Sequence, residues 1–253
     1  MNFATLLTVR LSSTRLANKS LLPLGAGTVL DHIINRAKFG ELNPVICTSV
    51  NPSDDAIIEI AIENDVPYFR GDLLNKIARW SDCAENLQEL YIHLLDCDDP
   101  YFDIDEIKLS IKNLITNSLD LVHTSDKSDR GFASCGTSIT SKYLSTLKKR
   151  VESLISEDLD VIPWDLLILP NDKVSKMPNN NLISSELEMR LTLDYIEDYN
   201  LISALYKTLG STCSRIEVEN FLLKNEYLLE LNNFRTQDFL NNKKKQLTKN
   251  FGA

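Results

Sequence analysis

FATLLTVRLSSTRLANKSLLPLGAGTVLDHIINRAKFGELNPVICTS, residues 3–49, carries the fold in outline. Phe3 to Val9 is a short apolar run that Arg10 ends, the pattern of a buried central strand. A polar, basic loop follows, and then Val29, Ile33, Ile34 and Ala37 recur at helical spacing until Gly40 supplies a stop. PVICTS (44–49) reads as a second buried strand, and Ser53 as the N-cap of a helix with Ile57, Ile60 and Ala61 on one face. VPYF (66–69) predicts a third strand, with Arg70-Gly71-Asp72 opening the next helix.

Strand, helix, strand, helix, strand within seventy residues predicts a parallel sheet with helices on its faces. The alternation continues through a strand at LYIHLLD (90–96), ending in acids. An amphipathic helix, IDEIKLSIKNLI (104–115), follows with Asp103 as its N-cap, and then a strand at LDLVHTS (119–125). Residues 126–190 are less regular and richer in Ser, Asn, Pro and charge, which suits a substrate lobe or an oligomer contact. LTLDYIEDYNLISALYKTLG (191–210) reads as a short strand running into a helix, and SRIEVENFLLKNEYLLELNN (214–233) as helical. The tail NNKKKQLTKNFGA reads as polar and frayed. The expected organisation is a catalytic domain over 1–210, with 126–190 as an insertion, and a helical extension over 211–253.

Composition narrows the function. The chain has 253 residues, 43% of them hydrophobic, which is ample for a buried core. No run approaches the roughly 18 apolar residues of a membrane span. The N-terminus lacks the basic region and cleavage site of a signal peptide. Cys47, Cys83, Cys97, Cys135 and Cys213 are odd in number and contain no CxxC pair, so neither a disulfide framework nor a zinc site is expected. These features point to a reducing, cytoplasmic setting. A net charge of −9 argues against a nucleic-acid partner, which demands a basic face.

Chemistry concentrates in three places. Arg10, Ser12, Ser13, Thr14, Arg15 and Lys19 crowd the loop after the first strand, where open α/β sheets bind ligands. Their cations and hydroxyls suit a polyphosphate; a solvated basic loop is the blander reading. Asp96, Asp98, Asp99 and Asp103 crowd the end of an inner strand, and Asp98 is the better ligand for Mg²⁺, which takes one or two carboxylates plus substrate oxygens. Asp194 would complete a two-carboxylate site if placed beside Asp98, and otherwise reads as an N-cap. His32, His93 and His123 do not cluster and read as core or edge residues. The GAG at 25–27 is no Walker A loop, since Gly-Lys-Ser/Thr does not follow.

Taken in order, these motifs resemble the cytidylyltransferases that activate acidic sugars, the CMP-Kdo synthetase and acylneuraminate cytidylyltransferase superfamily, and within it the spore-coat polysaccharide biosynthesis subgroup. RLSSTRLANKSL is similar to the opening R-x-x-S-x-R-L-P-x-K-x-L, CDDPYFD to G-D-x-P-x-x-D, and LTLDYIEDYNLI to T-V-D-x-P-E-D-L. The chain departs from the pattern at Ala17, Asn18, Asp72, Asn75, Cys97 and Ile196. The resemblance implies a three-layer α/β/α, Rossmann-like nucleotidyltransferase (GT-A-like) fold with a mixed, mostly parallel sheet, forming a homodimer. It implies transfer of CMP from CTP to a sugar acid with release of pyrophosphate and with Mg²⁺ as cofactor. Arg10, Arg15 and Lys19 would hold the triphosphate, Asp98 and Asp194 the metal, and Arg79, less surely Arg70, would match a family arginine. Thr48 and Ser49 would lie near the base or ribose. Gly131, Gly136 and Thr137 read as lining an acceptor site, with simple turn residues as the blander reading. Two alternatives stay open: a nucleotidyltransferase using another nucleotide or a sugar phosphate, and a diverged, non-catalytic nucleotide-binding homologue.

Overall fold

The computed structural model describes residues 2–13, 15–125, 131–152, 159, 161–178 and 189–251. Thr14 and most of the irregular stretches within 126–190 lie outside these residues. The first strand, β1 (Ala4–Thr8), is buried along its whole length. A two-stranded hairpin, β2 (Pro23–Leu24) and β3 (Gly27–Thr28), follows its loop, with Gly25 at φ +67° in the turn. Helix α1 (Val29–Phe39) then starts on a capping box between Thr28 and Asp31. The alternation runs on through β4 (Pro44–Ser49), α2 (Asp55–Glu63), β5 (Tyr68–Gly71), α3 (Lys76–Leu87), β6 (Tyr91–Asp96) and α4 (Ile104–Thr116). Next come β7 (Leu121–His123), β8 (Thr137–Thr140), α5 (Ser141–Glu152), α6 (Trp164–Leu167) and β9 (Val174–Lys176). Helices α7 (Ile196–Leu209), α8 (Arg215–Lys224) and α9 (Arg235–Phe251) close the chain.

Among the described residues seven strands form one sheet in the order β5-β4-β1-β6-β8-β7-β9. β1 pairs in parallel with β4 and β6, β4 with β5, and β7 with β9, while β8 runs antiparallel to both β6 and β7. Period-2 alternation divides the core. Leu7 and Leu95 join Ile33, Ile34 and Ala37 of α1 and Leu201 of α7 on one face. Leu6 and Leu94 join Trp80 and Cys83 of α3 and Leu144 and Leu147 of α5 on the other. The result is the expected three-layer architecture with a mixed, mostly parallel sheet. Val218, Leu222 and Leu229 of the C-terminal stretch are buried in the same core as α1 and α7.

Several boundaries differ from the sequence reading. The third strand begins at Tyr68 rather than Val66, and α3 begins at Lys76, capped by the Asn75 side chain, while Asp72 holds the backbone N–H groups of Leu74 and Asn75 in the connecting loop. Asn51, not Ser53, caps the turn before α2, because its carboxamide accepts the Ser53 N–H. Asp103 does cap α4, accepting from Asp105 and Glu106. Leu191–Leu193 is no strand: its N–H groups go to the carbonyls of Gly131 and Asp98 instead of to a ladder. The stretch 214–233 breaks after Lys224 into a tighter 3₁₀ turn over Glu226–Leu231. The tail read as frayed is helical as far as Phe251.

Two buried imidazoles make the fold sensitive to acid. His32 Nε2 donates to the Pro100 carbonyl at 2.9 Å, and His93 Nε2 donates to the Cys135 carbonyl at 2.6 Å while its Nδ1 accepts from the Ser138 hydroxyl. Burial lowers both to about 4, so both are neutral in the folded chain near neutrality. Between pH 6.5 and about 4 the unfolded chain binds more protons than the folded one, so stability must fall as pH falls through that window. Each imidazole accounts for on the order of 3 kcal/mol of that loss. Thermal unfolding followed from pH 7 to 4 should show the decline, and the His32→Gln/His93→Gln variant should show a much flatter one. An equally steep profile in the variant would remove these two residues as its source.

Candidate active site

The chain leaves β1 for β4 on one side and later returns past it to β6 on the other, so the loops after β1 and β6 part at the carboxyl edge of the sheet. A cavity of about 700 Å³ opens there. From α1, His32 and Arg36 hold the loop after β6 through the carbonyls of Pro100 and Phe102. That loop carries Asp98. The β1 loop is braced from β4 and the turn beyond it: Asp54 accepts the Leu11 N–H at 2.8 Å and the Ser49 hydroxyl on its other oxygen. Arg10 donates to the Leu73 carbonyl, tying the same loop to the segment after β5.

At the centre stands Lys19. Its ammonium donates to Asp98 Oδ2 and Asp194 Oδ1, each at 2.9 Å, and to the Leu193 carbonyl at 2.8 Å. Arg15 donates to the same Asp194 oxygen at 2.5 Å. Arg190, fully buried, donates to the other Asp194 oxygen at 3.1 Å and to both oxygens of Asp198. Asp198 in turn accepts the N–H groups of Asp194 and Tyr195 and the Asn232 carboxamide. Burial presses the Lys19 pKa down, but Asp98 and Asp194 outweigh it and raise it above the usual ammonium value. Burial likewise pushes Asp194 up, but Lys19 and Arg15 bring it to about 2. Asp99, buried beside charged Asp98, is pushed well above the carboxylate range while accepting from Thr192.

A second ion pair lines the wall: Lys76 meets Asp96 at 2.7 Å and lies 5.1 Å from the Trp80 ring centroid. Trp80 Nε1 donates to Thr8 of β1 at 2.8 Å. Farther along, the His123 and Trp164 rings meet edge to face, with centroids 5.1 Å apart.

Of the residues marked in the sequence, Arg10, Ser12, Ser13, Arg15, Lys19, Arg79 and Asp98 line this cavity, as do Gly136 and Thr137. Asp194 lies directly beneath, fully buried, and is no N-cap, since Asp198 takes the backbone N–H groups there. Thr48 and Ser49 do not belong with them. Both are fully buried on β4, whose end is covered by the Asn51–Asp54 turn, and Ser49 acts from behind by holding Asp54. Arg70 pairs with Asp55 on the surface side, and Gly131 packs over Arg190. Sequence reasoning missed Lys76, Arg190, Asp198 and Asn232. Only Asp198 left a signal, as the N3 acid of a capping box at the start of α7.

The donor set fits a small, hard cation. Two carboxylate oxygens from loops far apart in sequence converge on one point, which the Lys19 ammonium marks. Among the described residues no cluster of three or more His, Cys, Asp or Glu side chains forms a metal site, so an ion here would take its remaining ligands from substrate.

Removing the two acids should have unequal effects on stability. Asp194→Asn leaves Arg15, Lys19 and Arg190 around a neutral amide in a buried site and should cost about 3–5 kcal/mol. Asp98, whose side chain is 26% exposed, should cost less than about 1 kcal/mol when changed to Asn. Urea unfolding of both variants measures the difference, and equal losses would contradict this charge arrangement.

No family model matches the chain. It is 25% identical over 209 residues to spore coat polysaccharide biosynthesis protein SpsF of Bacillus subtilis, spanning 79% of this chain and 85% of that protein. It is 27% identical over 126 residues to an uncharacterized protein of Methanocaldococcus jannaschii, about half of each chain. Among solved structures, a cytidylyltransferase from Leptospira borgpetersenii superposes with a TM-score of 0.78 and 26% identity, covering 90% of this chain and 97% of that one. A CMP:2-keto-3-deoxy-manno-octonic acid synthetase complexed with CTP shares the fold at a TM-score of 0.57 and 10% identity, over 82% of this chain and 99% of that one. The carboxylate-and-cation centre at the parting of the β1 and β6 loops thus stands on a fold that the chain shares with a cytidylyltransferase of known structure, to which it is similar along nine-tenths of its length.

Proposed function

We propose that the protein transfers CMP from CTP to an acidic sugar of the Kdo or nonulosonic acid class, releasing pyrophosphate, as a step in making cell-surface polysaccharide. The observation that carries this reading is the convergence of Lys19, Arg15, Asp98 and Asp194 on one point at the carboxyl edge of the sheet. The likeness to SpsF and to the cytidylyltransferase structure supports it. The same reading takes the protein as a cytoplasmic homodimer, and its five buried, free cysteines suit a reducing compartment.

In this reading Arg10, Arg15, Lys19 and Arg79, with the Ser12 and Ser13 hydroxyls, bind the triphosphate from the β1 side. The anomeric hydroxyl of the acceptor attacks the α-phosphorus in line, the bond to the β-phosphate breaks, and the hydroxyl proton leaves to solvent. Asp98 and Asp194 would hold Mg²⁺, which supplies Lewis-acid stabilisation of charge on the phosphoryl oxygens when bound. Arg190 and Asp198 keep Asp194 in place and ionised. Cys97, although adjacent to Asp98, is pushed far up by burial and takes no part as a nucleophile.

Thermal unfolding with Mg²⁺ and each of CTP, UTP, ATP and GTP tests the nucleotide. CTP at about a hundred times its Kd should add about 2.7 kcal/mol, a rise of roughly 5–10 °C for a chain of this size. The same protein should release pyrophosphate from CTP when given an acidic sugar. Asp98→Asn should keep the fold and lower kcat/KM by about a hundredfold to a thousandfold. A shift with a different nucleotide alone would move the reading to that base, and undiminished turnover by Asp98→Asn would remove Asp98 from the site.

A further inference from the structure

Helix α9 spans the cavity from one anchored end to the other. Near its start Phe239 lies 4.8 Å from the Arg190 guanidinium, and Asn242 donates to the Tyr195 hydroxyl at 3.0 Å. At its end Phe251 packs with Ile162 and Trp164 against the core on the far side of the sheet. Between the two phenylalanines the helix advances about 18 Å. Phe239, Asn242, Lys243 and Gln246 stand at i, i+3, i+4 and i+7, on one face, and all four line the cavity, as does the neighbouring Lys245. A helix face turned inward only to be buried carries aliphatic residues. This one carries Asn242 and Lys243, half-buried, and Gln246, exposed, and the exposed Lys245 beside them lines the same cavity.

We propose that this face of α9, with Lys245 at its edge, is the acceptor-carboxylate site, in which Lys243 and Lys245, with the carboxamides of Asn242 and Gln246, bind the acid group of the sugar. The proposal rests on the reading that the acceptor is an acidic sugar. Position separates it from the triphosphate site. The phosphate-binding cations stand on the β1 loop, whereas α9 runs toward Trp164, which meets His123 of β7 two strands beyond β6. There Thr124, Gly136 and Thr137 leave polar room for a hydroxylated ring. Ammonium groups paired with amide N–H donors match a carboxylate in both charge and hydrogen bonding.

The test compares the unaltered protein with Lys243→Gln, Lys245→Gln and the double variant, using Kdo, N-acetylneuraminate and the methyl ester of each. In the double variant KM for the acid should rise about tenfold to a hundredfold. KM for CTP should stay within twofold, and the preference for acid over ester should vanish. An unchanged KM for the acid, or an equal rise in KM for CTP, would overturn the assignment. So would failure of the unaltered protein to use either acid. The CTP-induced thermal shift, measured on every protein, separates the two layers: a retained shift leaves nucleotide binding standing when the acceptor assignment falls, while its absence in the unaltered protein removes both.

Discussion

Lys19 reaches from a 3₁₀ turn after β1 to Asp98 after β6 and Asp194 before α7, joining three loops that are far apart in sequence. Taking any one of these charges out of water alone would cost several kcal/mol. The arrangement is tolerable because it balances: Arg15, Lys19 and Arg190 face Asp98, Asp194 and Asp198, and both oxygens of Asp194 and of Asp198 accept hydrogen bonds. Removing the fully buried Asp194 leaves three cations uncompensated, whereas the partly exposed Asp98 can be lost at little cost to the fold. Lys19 spends all three of its N–H donors on protein. A phosphate oxygen can gain that ammonium only by displacing one of these partners, and Asp98, the exposed one, is the cheaper to release. On the proposed reading, the same exchange would leave a carboxylate oxygen of Asp98 able to hold Mg²⁺.

The transfer proposed for this site depends on placement, since in-line attack loses rate steeply when groups are misplaced by an ångström. The loop bearing Asp98 has little freedom. Arg36 donates from Nε and Nη2 to the Phe102 carbonyl and from Nη1 to the carbonyls of Ser211 and Cys213, binding the loop to α1 and to the turn before α8. His32 holds Pro100, and Asp103 closes the loop by capping α4. Gly136, at φ +73°, comes so close to β6 that a Cβ there would stand 2.0 Å from the Leu94 carbonyl oxygen. Only glycine permits that approach, which lets β8 seal against β6 beside the cavity.

What the sequence discloses follows from how local each determinant is. The run from Phe3 to Ser49 is legible because apolar periodicity and cap chemistry act within a few residues, and Asp103 is read correctly as a cap for the same reason. The β1 loop and Asp98 are legible because charge crowded at a strand end already signals a site. Thr48 and Ser49 mislead because alternation tells which face a residue takes but not that a later turn covers the strand end. Leu191–Leu193 has a strand's composition, yet its N–H groups are claimed by Gly131 and Asp98, partners that only the assembled fold brings near. Arg190 has no local signature at all, because its role is set by Asp198 eight residues on and by Asn232. The polar tail defeats periodicity analysis differently: α9 is a largely solvent-exposed helix, and only Phe239, Asn242, Lys243, Lys245 and Gln246 of it line the cavity, so no apolar stripe announces it.

The local charge of the cavity also reconciles the acidic chain with the anionic substrate proposed for it. The net charge of −9 is spread over the whole surface, and at physiological ionic strength charges beyond about 8 Å are largely screened. Within the cavity the balance has the opposite sign: Arg10, Arg15, Lys19, Lys76 and Arg79 come from the sheet loops, and Lys243 and Lys245 from α9. Against them stand Asp96, Asp98 and Asp99, and burial together with the neighbouring Asp98 charge raises Asp99 well above the carboxylate range. A low-dielectric wall around such a cleft concentrates its field, so a polyphosphate is drawn by the cavity rather than by the molecule. The acidic exterior disfavours long polyanions that would have to lie across it, while a compact nucleotide, as proposed, would meet a cavity whose net charge is positive.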